Sequence, residues 1–540
     1  MAVFRSRLDT SAPAFAANRA DMLALIEKMH ALSARAAERS ERRRERFHQR
    51  GQLTPRERLT RLLDPGMPFL ELYNMANYMV EDTDPETSIP GASNISGIGF
   101  INGVRSMIVV NDSGIDAGAM TPMSVPKAMG CLAIANRQKL PFIQLVESAG
   151  ANLVNYTVEL WANGGGTFYE LARLSAKGVP TFVVLHGPST AGGAYQPGMS
   201  DYVIGVRRNG MAALAGAALT RAATGEIADE AQLGGAEMHA EKTGLVEYLA
   251  DDDAHGLAIA RDLFTRIGWN DGMPAAPKKA FAEPVYDGQE IAGLVPTDHK
   301  VAYDVRELVA RFVDGSDFVE FKPRYGPATV CMQAEIQGHA CGLIGNNGPI
   351  DPHGAAKATH FFQLCDSANL PIVFLNNTTG YMVGTEYEQA GMIKHGSKMI
   401  QAVSNVRVPR ISLYVGASFG AGNYGMCGYA YQPDFLFTWP NAMTGVMGGE
   451  QAAKTMDQVA RVSAERRGTE VDEEALEKQR QRITAHFDRQ HTAFYTSGRA
   501  LDHGMIDPRD TRKVLGFALQ TCWEARNREL HPNSFGVARM

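Results

Sequence analysis

Apolar residues recur at Met22, Leu25, Ile26 and Met29, the i, i+3, i+4, i+7 spacing of one helix face, which predicts a helix from Asn18 to Arg50. Its end is the charged run ERRRERFHQR, which reads as a solvated helix face. From Met67 to Trp269 the period changes: short β-branched runs such as SMIVVND, PFIQLVE and TFVVLH alternate with helical stretches, an α/β layout. Asp271 to Gly288, DGMPAAPKKAFAEPVYDG, carries three prolines and little periodicity, and marks a linker. Strands resume in HACGLIGNN, PIVFLNN and RISLYVG, and the charged, periodic stretch Asp472 to Arg489 predicts an exposed helix or helical hairpin.

The pattern occurs twice. Gly178 to Tyr195, GVPTFVVLHGPSTAGGAY, and Arg407 to Tyr424, RVPRISLYVGASFGAGNY, share a Pro, an apolar run, a Ser, small residues and a Tyr, with the tyrosines 229 positions apart. LPFIQLVESAGANL from Leu140 and LPIVFLNNTTGYMV from Leu370 repeat at an offset of 230. Two copies of one domain follow, over 18–270 and 289–530, joined by a linker at 271–288. Each copy sets Gly and Ala just past a buried strand, where backbone N–H groups can approach a ligand with no side chain between them.

Composition narrows the classes. A hydrophobic share of 45% and a charged share of 21% over 540 residues fit globular domains with sizeable cores. A formal net charge of −6 offers no general attraction to phosphate backbones, so nucleic acid is not implied. No apolar stretch has the length of a membrane span. The six cysteines form no C-x-x-C pair and no metal-ligand spacing, so neither a metal site nor a disulfide framework is expected, and a reducing cytoplasm is the natural setting. His186, His353, His360 and His395 stand without paired carboxylates and read as structural.

Two short motifs overlap near Gly416. GASFG, centred on Ser418, fits the nucleophile elbow of a serine hydrolase, with Asp434 and His486, His491 or His503 following in order. GAGNYG, Gly420 to Gly425, fits a dinucleotide fingerprint after a strand. The first copy, GPSTAGGAYQPG, keeps the Ser and the small residues but loses the outer glycines of both motifs. The duplication therefore preserves a pair of small-residue turns, with Gly192, Gly193, Ala421 and Gly422 as candidate N–H donors to two oxyanions. One such donor contributes about 3 to 4 kcal/mol to a transition state. The plainer alternative is that these residues only permit close packing of helix on strand.

The chain resembles the carboxyltransferase β subunit of biotin-dependent acyl-CoA carboxylases over nearly its whole length. The resemblance is carried by LTPRERLTRLLDPG (Leu53 to Gly66), TAGGAY (Thr190 to Tyr195), ATGEIADEAQLGGAEMH (Ala223 to His239), GYMVGTEYEQAGMIKHGSKM (Gly380 to Met399), SFGAGNYGMCG (Ser418 to Gly428), WPNAMTGVMGGEQAA (Trp439 to Ala453) and GMIDPRDTR (Gly504 to Arg512). It implies tandem duplicated crotonase-like α/β domains, an active site between the N domain of one subunit and the C domain of another, and a homo-hexamer. It also implies a partner α subunit with biotin carboxylase and biotin carrier activities, because the chain has no A-M-K-M-like segment and no ATP-grasp pattern.

ESAGANL, Glu147 to Leu153, and NYGMCG are similar to the methylcrotonoyl and geranyl branch rather than the propionyl and acetyl branch, so the implied substrate is an enoyl-CoA, geranyl-CoA foremost. Where methylcrotonoyl enzymes carry a bulky aromatic the chain has Gly164, followed by two more glycines, which would open about 100 Å³ for a longer prenyl chain. Equally, Gly164 to Gly166 fits a loop or helix cap away from any ligand. In the stretch Ala215 to Glu226, where relatives commonly carry Gly-Pro-Pro, Ala217 and Ala218 remove two rigid positions, which puts CoA or acyl-chain contacts by that segment in doubt.

The implied site has Gly150, Ala151, Gly164 and Ala194 on the acyl-CoA and Gly380, Tyr381, Gly420 and Tyr424 on biotin. The implied reaction removes a γ-proton, collects charge on the thioester oxygen held by Gly192 and Gly193, and takes the carboxyl group from carboxybiotin, whose ureido oxygen faces Ala421 and Gly422. No spacing points to residues for adenine or pantetheine. The other classes left open are a methylcrotonoyl-, propionyl- or acetyl-CoA carboxylase subunit, a sodium-pump decarboxylase subunit, a crotonase-like hydratase, a serine hydrolase through Ser418, and a non-catalytic scaffold.

Overall fold

The computed structural model describes residues 3–150, 157–274 and 280–534. Two units are resolved. A first-copy unit comprises His30–Ala275, Gly498–Ala500 and Thr521–Met540, and a second-copy unit comprises Met1–Met29, Ala276–Ser497 and Leu501–Gln520.

The first-copy unit is built on an eight-stranded sheet, seven of whose strands follow in the order Leu70–Leu72, Asn94–Ile101, Val104–Asn111, Phe142–Ser148, Thr181–Thr190, Tyr202–Val206, Tyr248–Ala250, while Met211–Ala213 pairs off this path with Thr181–Thr190. The first three strands run antiparallel, and from Val104–Asn111 onward every pairing is parallel. Parallel pairing needs crossovers, supplied by helices such as Val158–Ala176, and buries both sheet faces. That is why TFVVLH is a continuous apolar run. Ile143, Phe182, Val184 and Ile204 are fully buried, and Phe182 stacks between Tyr202 at 4.7 Å and Phe264 at 4.4 Å between centroids. Each such side chain contributes about 1.5–3 kcal/mol.

The second-copy unit repeats the plan with seven strands, six of them in the order Phe435–Thr438, Arg410–Phe419, Ile372–Thr378, His339–Asn346, Thr329–Ile336, Phe318–Phe321, and Met443–Gly445 pairing off this path with Arg410–Phe419. Its core gathers Ile344, Phe361, Phe362, Phe374, Met399 and Val403. Asp351 caps the crossover helix Pro352–Ser367 by accepting from Gly354 N–H, with proline at the first helical position.

The repeat extends to an irregularity. Between Val146 and Ser148 the strand Phe142–Ser148 slips register against Thr181–Thr190, and between Asn376 and Thr378 the strand Ile372–Thr378 slips the same way against Arg410–Phe419. Beyond each slip the outer residues take a new neighbour: Pro188–Thr190 pair with Met211–Ala213, and Ala417–Phe419 pair with Met443–Gly445.

One local expectation changes and another is met. The helix expected over Asn18 to Arg50 is Pro13–Glu41 followed by a separate short helix, Arg44–Gln49. The break turns Phe47 into the core, where the Arg58 guanidinium lies over its ring at 5.7 Å. Asp472 to Arg489 belongs to a hairpin, Gly449–Arg467 and Glu473–His491, its second helix capped by the Asp472 carboxylate accepting from Ala475 N–H.

Candidate active site

In the first-copy unit the strand Thr181–Thr190 ends at Ala191, which is left-handed with φ +54°, and the chain winds into a short helical turn, Ala191–Ala194, then Tyr195–Met199. Among the described residues no side chain caps the turn. The N–H groups that open it are thus left without an intrahelical partner, and Gly192 is exposed. A Cβ on Gly193 would stand 2.9 Å from Ser189 Oγ, and one on Gly192 3.4 Å from the Phe168 ring. Gly150, at φ +79°, lies beside the same turn, where a Cβ would be 3.7 Å from the Thr190 carbonyl. Ala194 packs against the apolar cluster of Val146, Val183, Leu185 and Ala212. Ala151 lies outside the described residues.

Gly164 sits in the helix Val158–Ala176, which Thr157 caps by accepting from Leu160 N–H. The loop or cap reading is therefore set aside. Three glycines within a helix cost about 1 kcal/mol each relative to alanine, so the run opposes the element it lies in. A Cβ at Gly164 would meet Val125 Cγ2 at 3.6 Å, one at Gly165 would meet nothing within 4 Å, and one at Gly166 would stand 3.3 Å from Met129. One helical turn on, Phe168 lies against Gly192, its ring 5.6 Å from that of Tyr195.

In the second-copy unit Arg410–Phe419 ends at Gly420, again φ +54°, and opens the short helix Gly420–Gly425, also without a side-chain cap. Ala421 is exposed, whereas Gly422 is buried so closely that a Cβ would come 2.8 Å from Gly380 Cα. Gly380, at φ +127°, and Tyr381 follow the strand Ile372–Thr378, held where Ile350 N–H donates to the Gly380 carbonyl at 3.0 Å. The Tyr381 hydroxyl donates to the Gly396 carbonyl at 3.4 Å, and burial raises it well above the usual tyrosine range. Tyr424 is exposed, 5.7 Å from the Tyr431 ring. Gly380, Gly420, Ala421 and Gly422 thus share one small-residue corner.

Ser418 is fully buried beneath that corner. Its hydroxyl donates to Asn376 Oδ1 at 3.0 Å and accepts from Asn423 Nδ2 at 2.8 Å, so it has an amide, not an imidazole, on each side. His486 pairs with Gln490 at 2.8 Å, His503 Nδ1 accepts from Leu436 N–H at 3.1 Å, and the Asp434 carboxylate accepts from Arg410 N–H at 2.8 Å. His491 lies against the Phe419 ring, 5.3 Å between centroids, and among the described residues no imidazole hydrogen-bonds Ser418, so the elbow has no triad behind it.

Sequence reading missed two features of the first-copy unit. Arg58 is fully buried, with Nη1 on Glu147 at 2.6 Å and Nε on Asp253 at 2.8 Å, and His186 Nδ1–H donates to Asp253 at 2.8 Å. Burial alone would raise the Asp253 carboxyl, but His186 and Arg58 outweigh it and hold it down at about 2. Burial pushes the His186 imidazole below its ordinary value despite Asp253. Beside this cluster opens a cavity of about 500 Å³, lined in part by Arg43, Arg46, Arg50, Gln52, Ser113 and Ser148. Among the described residues none of the three arginines pairs with a carboxylate, and the buried Gln52 Oε1 and Ser113 Oγ have no hydrogen-bond partner. The charged run ERRRERFHQR is solvated over most of its length as expected, yet three of its arginines also line one cavity.

Residues 46–537 match the carboxyl transferase domain. The chain is 44% identical over 541 residues, covering 100% of both chains, to a probable biotin-dependent acyl-coenzyme A carboxylase beta2 subunit of Mycobacterium tuberculosis. The chain belongs to the carboxyltransferase β subunits of biotin-dependent acyl-CoA carboxylases. Within this family it is also 42% identical to the biotin-dependent 3-methylcrotonyl-coenzyme A carboxylase beta1 subunit of the same organism, covering 98% of each. The P. aeruginosa geranyl-CoA carboxylase beta subunit superposes with a TM-score of 0.94 at 47% identity, covering 100% of each chain. The tandem crotonase-like α/β fold is that of the family, and among the described residues no helix is long and apolar enough to cross a membrane.

Proposed function

We propose that this subunit moves a carboxyl group from biotin borne by a partner α subunit to the γ-carbon of an α,β-unsaturated, branched acyl-CoA, geranyl-CoA foremost. The observation that carries the substrate is Gly164: a helix that gives up about 3 kcal/mol to hold three glycines does so one turn from the residue packed against Gly192. Space for the distal isoprene unit accounts for that cost. The likeness to the P. aeruginosa geranyl-CoA enzyme supports the same reading.

Loss of the γ-proton turns the enoyl thioester into a dienolate whose charge collects on the thioester oxygen. Gly192 and Gly193 N–H groups, preset by the left-handed Ala191, donate to that oxygen with no reorganisation at the moment of reaction. Gly150 leaves the thioester free passage past Thr190. In the second-copy unit the uncapped Ala421 and Gly422 N–H groups fit the ureido oxygen of biotin, with Gly380, Tyr381, Gly420 and Tyr424 around it. When bound, biotin supplies the activated carboxyl group and, once relieved of it, the ring nitrogen that accepts the γ-proton. Catalysis rests on proximity and backbone dipoles, which is why no side-chain nucleophile is needed.

Arg43, Arg46 and Arg50 hold the phosphates of CoA in the cavity beside Ser148, since they bring unpaired guanidinium groups to one wall. The subunit works as a cytoplasmic homo-hexamer with the α subunit. Reconstitution with that biotin-bearing partner tests the whole reading: kcat/KM should rank geranyl-CoA above methylcrotonoyl-CoA and far above propionyl-CoA. A preference for propionyl-CoA would overturn the enoyl assignment, and carboxylation by this chain without any biotin protein would overturn the carboxyltransferase role.

A further inference from the structure

The two turns share a backbone but rest on opposite chemistry. Beneath the second, the Asn423 amide donates to Ser418 Oγ at 2.8 Å and to the Tyr414 hydroxyl at 3.1 Å. Ser418 passes its own hydrogen to Asn376 Oδ1 at 3.0 Å, and Asn376 Nδ2 donates to the Met426 carbonyl at 3.1 Å, just past the other end of the same short helix. Tyr414 also accepts from Tyr429 N–H at 3.1 Å. All four side chains are buried, so the chain of hydrogen bonds closes from strand Ile372–Thr378 through strand Arg410–Phe419 to both ends of Gly420–Gly425 without solvent.

At the repeat offsets of 229 and 230 the first copy has Val146 for Asn376, Leu185 for Tyr414 and Ala194 for Asn423. Those three pack as one apolar cluster. The serine is kept as Ser189, and among the described residues its buried hydroxyl has no hydrogen-bond partner. The same fold is therefore supported at this place by an apolar core in one copy and a satisfied polar network in the other. Stability does not demand the network, because the apolar version works 229 positions earlier. What a satisfied buried network adds is a unique geometry, since every hydrogen in it is committed to a fixed acceptor and so to one direction.

We propose that Asn423 is a positioning residue: through Ser418, Tyr414 and Asn376 it fixes the direction of the Ala421 and Gly422 N–H groups toward the biotin ureido oxygen. The proposal rests on the assignment of this turn to the biotin side. The first turn rests on apolar packing, which specifies shape without hydrogen-bond direction, whereas the second turn meets one invariant ring whose oxygen must be met at a set angle.

The test uses the holoenzyme reconstituted with its biotin-bearing partner. Asn423→Ala should lower kcat about tenfold or more while KM for the acyl-CoA stays within about twofold, because a misaimed donor loses part of what a deleted one loses. A triple variant, Asn376→Val with Tyr414→Leu and Asn423→Ala, copies the first turn's apolar base and should melt near the parent temperature yet transfer slowly. Gly428→Ala attacks the network from outside, since its methyl would overlap the Asn423 amide, and should reproduce the kcat loss. Parental kcat in Asn423→Ala would overturn the proposal, as would losses that follow melting temperature alone across the three variants. Ala421→Pro separates the premise: if it retains full transfer, the biotin-side assignment itself fails, whereas if it alone abolishes transfer, only the positioning role fails.

Discussion

Ala191 and Gly420 hold the same left-handed backbone, φ +54° in each, although they lie 229 positions apart and only one is a glycine. An L-residue there costs about 1–2 kcal/mol, which the first turn bears and the second avoids. Ala191→Gly should therefore stabilise its unit by up to about 1 kcal/mol, part of the relief being offset by a freer unfolded chain. Gly420→Ala should destabilise by more than the strain alone, because its methyl would also press on the Val446 carbonyl at 3.1 Å. Calorimetry on both variants reads the signs directly; a loss of stability in Ala191→Gly would show that the methyl is packed rather than strained.

Ser418→Ala distinguishes a network member from a nucleophile. With the hydroxyl engaged by Asn376 and Asn423, its loss should reduce carboxyl transfer by no more than about tenfold, whereas removing a catalytic serine typically costs about a million-fold. Single-turnover transfer measurements decide between them.

Gly164→Phe should close the space above Val125. A pocket shut to the distal isoprene loses several CH₂ contacts worth about 0.8 kcal/mol each, so kcat/KM for geranyl-CoA should fall by orders of magnitude. The methylcrotonoyl value should change far less. Equal losses for both substrates would point to misfolding, and no loss for either would place Gly164 away from the acyl chain.

Replacing Arg43, Arg46 or Arg50 by alanine should raise KM for acyl-CoA about tenfold per guanidinium with kcat unchanged, and should flatten the salt dependence of KM. An acyl-pantetheine thioester, which lacks the nucleotide, should react with parent and variants alike. A variant penalty on that truncated thioester would move the arginines' role away from the phosphates.

Acid should loosen the first-copy unit in a defined window. The Asp253 carboxyl is held down at about 2, so its contribution is complete above about pH 4 and is lost as pH falls toward 2. The shift corresponds to about 2 kcal/mol. Asp253→Asn should flatten that limb of the stability profile and destabilise the protein at pH 7 by about 3–5 kcal/mol, because Arg58 stays buried with one carboxylate fewer. Denaturant melts between pH 2 and 7 check both features.

The strands and the doubled turns were legible because TFVVLH and RISLYVG are continuous apolar runs, each broken by small residues where φ turns positive. The break before Arg44 was not, since arginines propagate a helix well and the turn is imposed by Phe47 seeking the core. Nor was the arginine-lined cavity, whose lining also includes Ser113 and Ser148, far along the chain. Ser418 looked like a nucleophile because GASFG is a local pattern, while its neighbours Asn376 and Asn423 are brought to it by the sheet. The exchange of Val146, Leu185 and Ala194 for Asn376, Tyr414 and Asn423 stood in the two halves all along, but only contacts reveal that one trio is a cluster and the other a circuit.

Each turn-bearing strand changes one neighbour part-way: its last three residues pair with the three-residue strands Met211–Ala213 and Met443–Gly445 on one edge, while on the other Ser189 and Ser418 still pair with Ser148 and Thr378. Each strand end is thereby clasped on both edges up to the last residues before its turn. The two turns are launched from fixed posts, and the N–H groups that open them inherit their aim from the sheet. Donors anchored in this way need no rearrangement as charge develops in front of them.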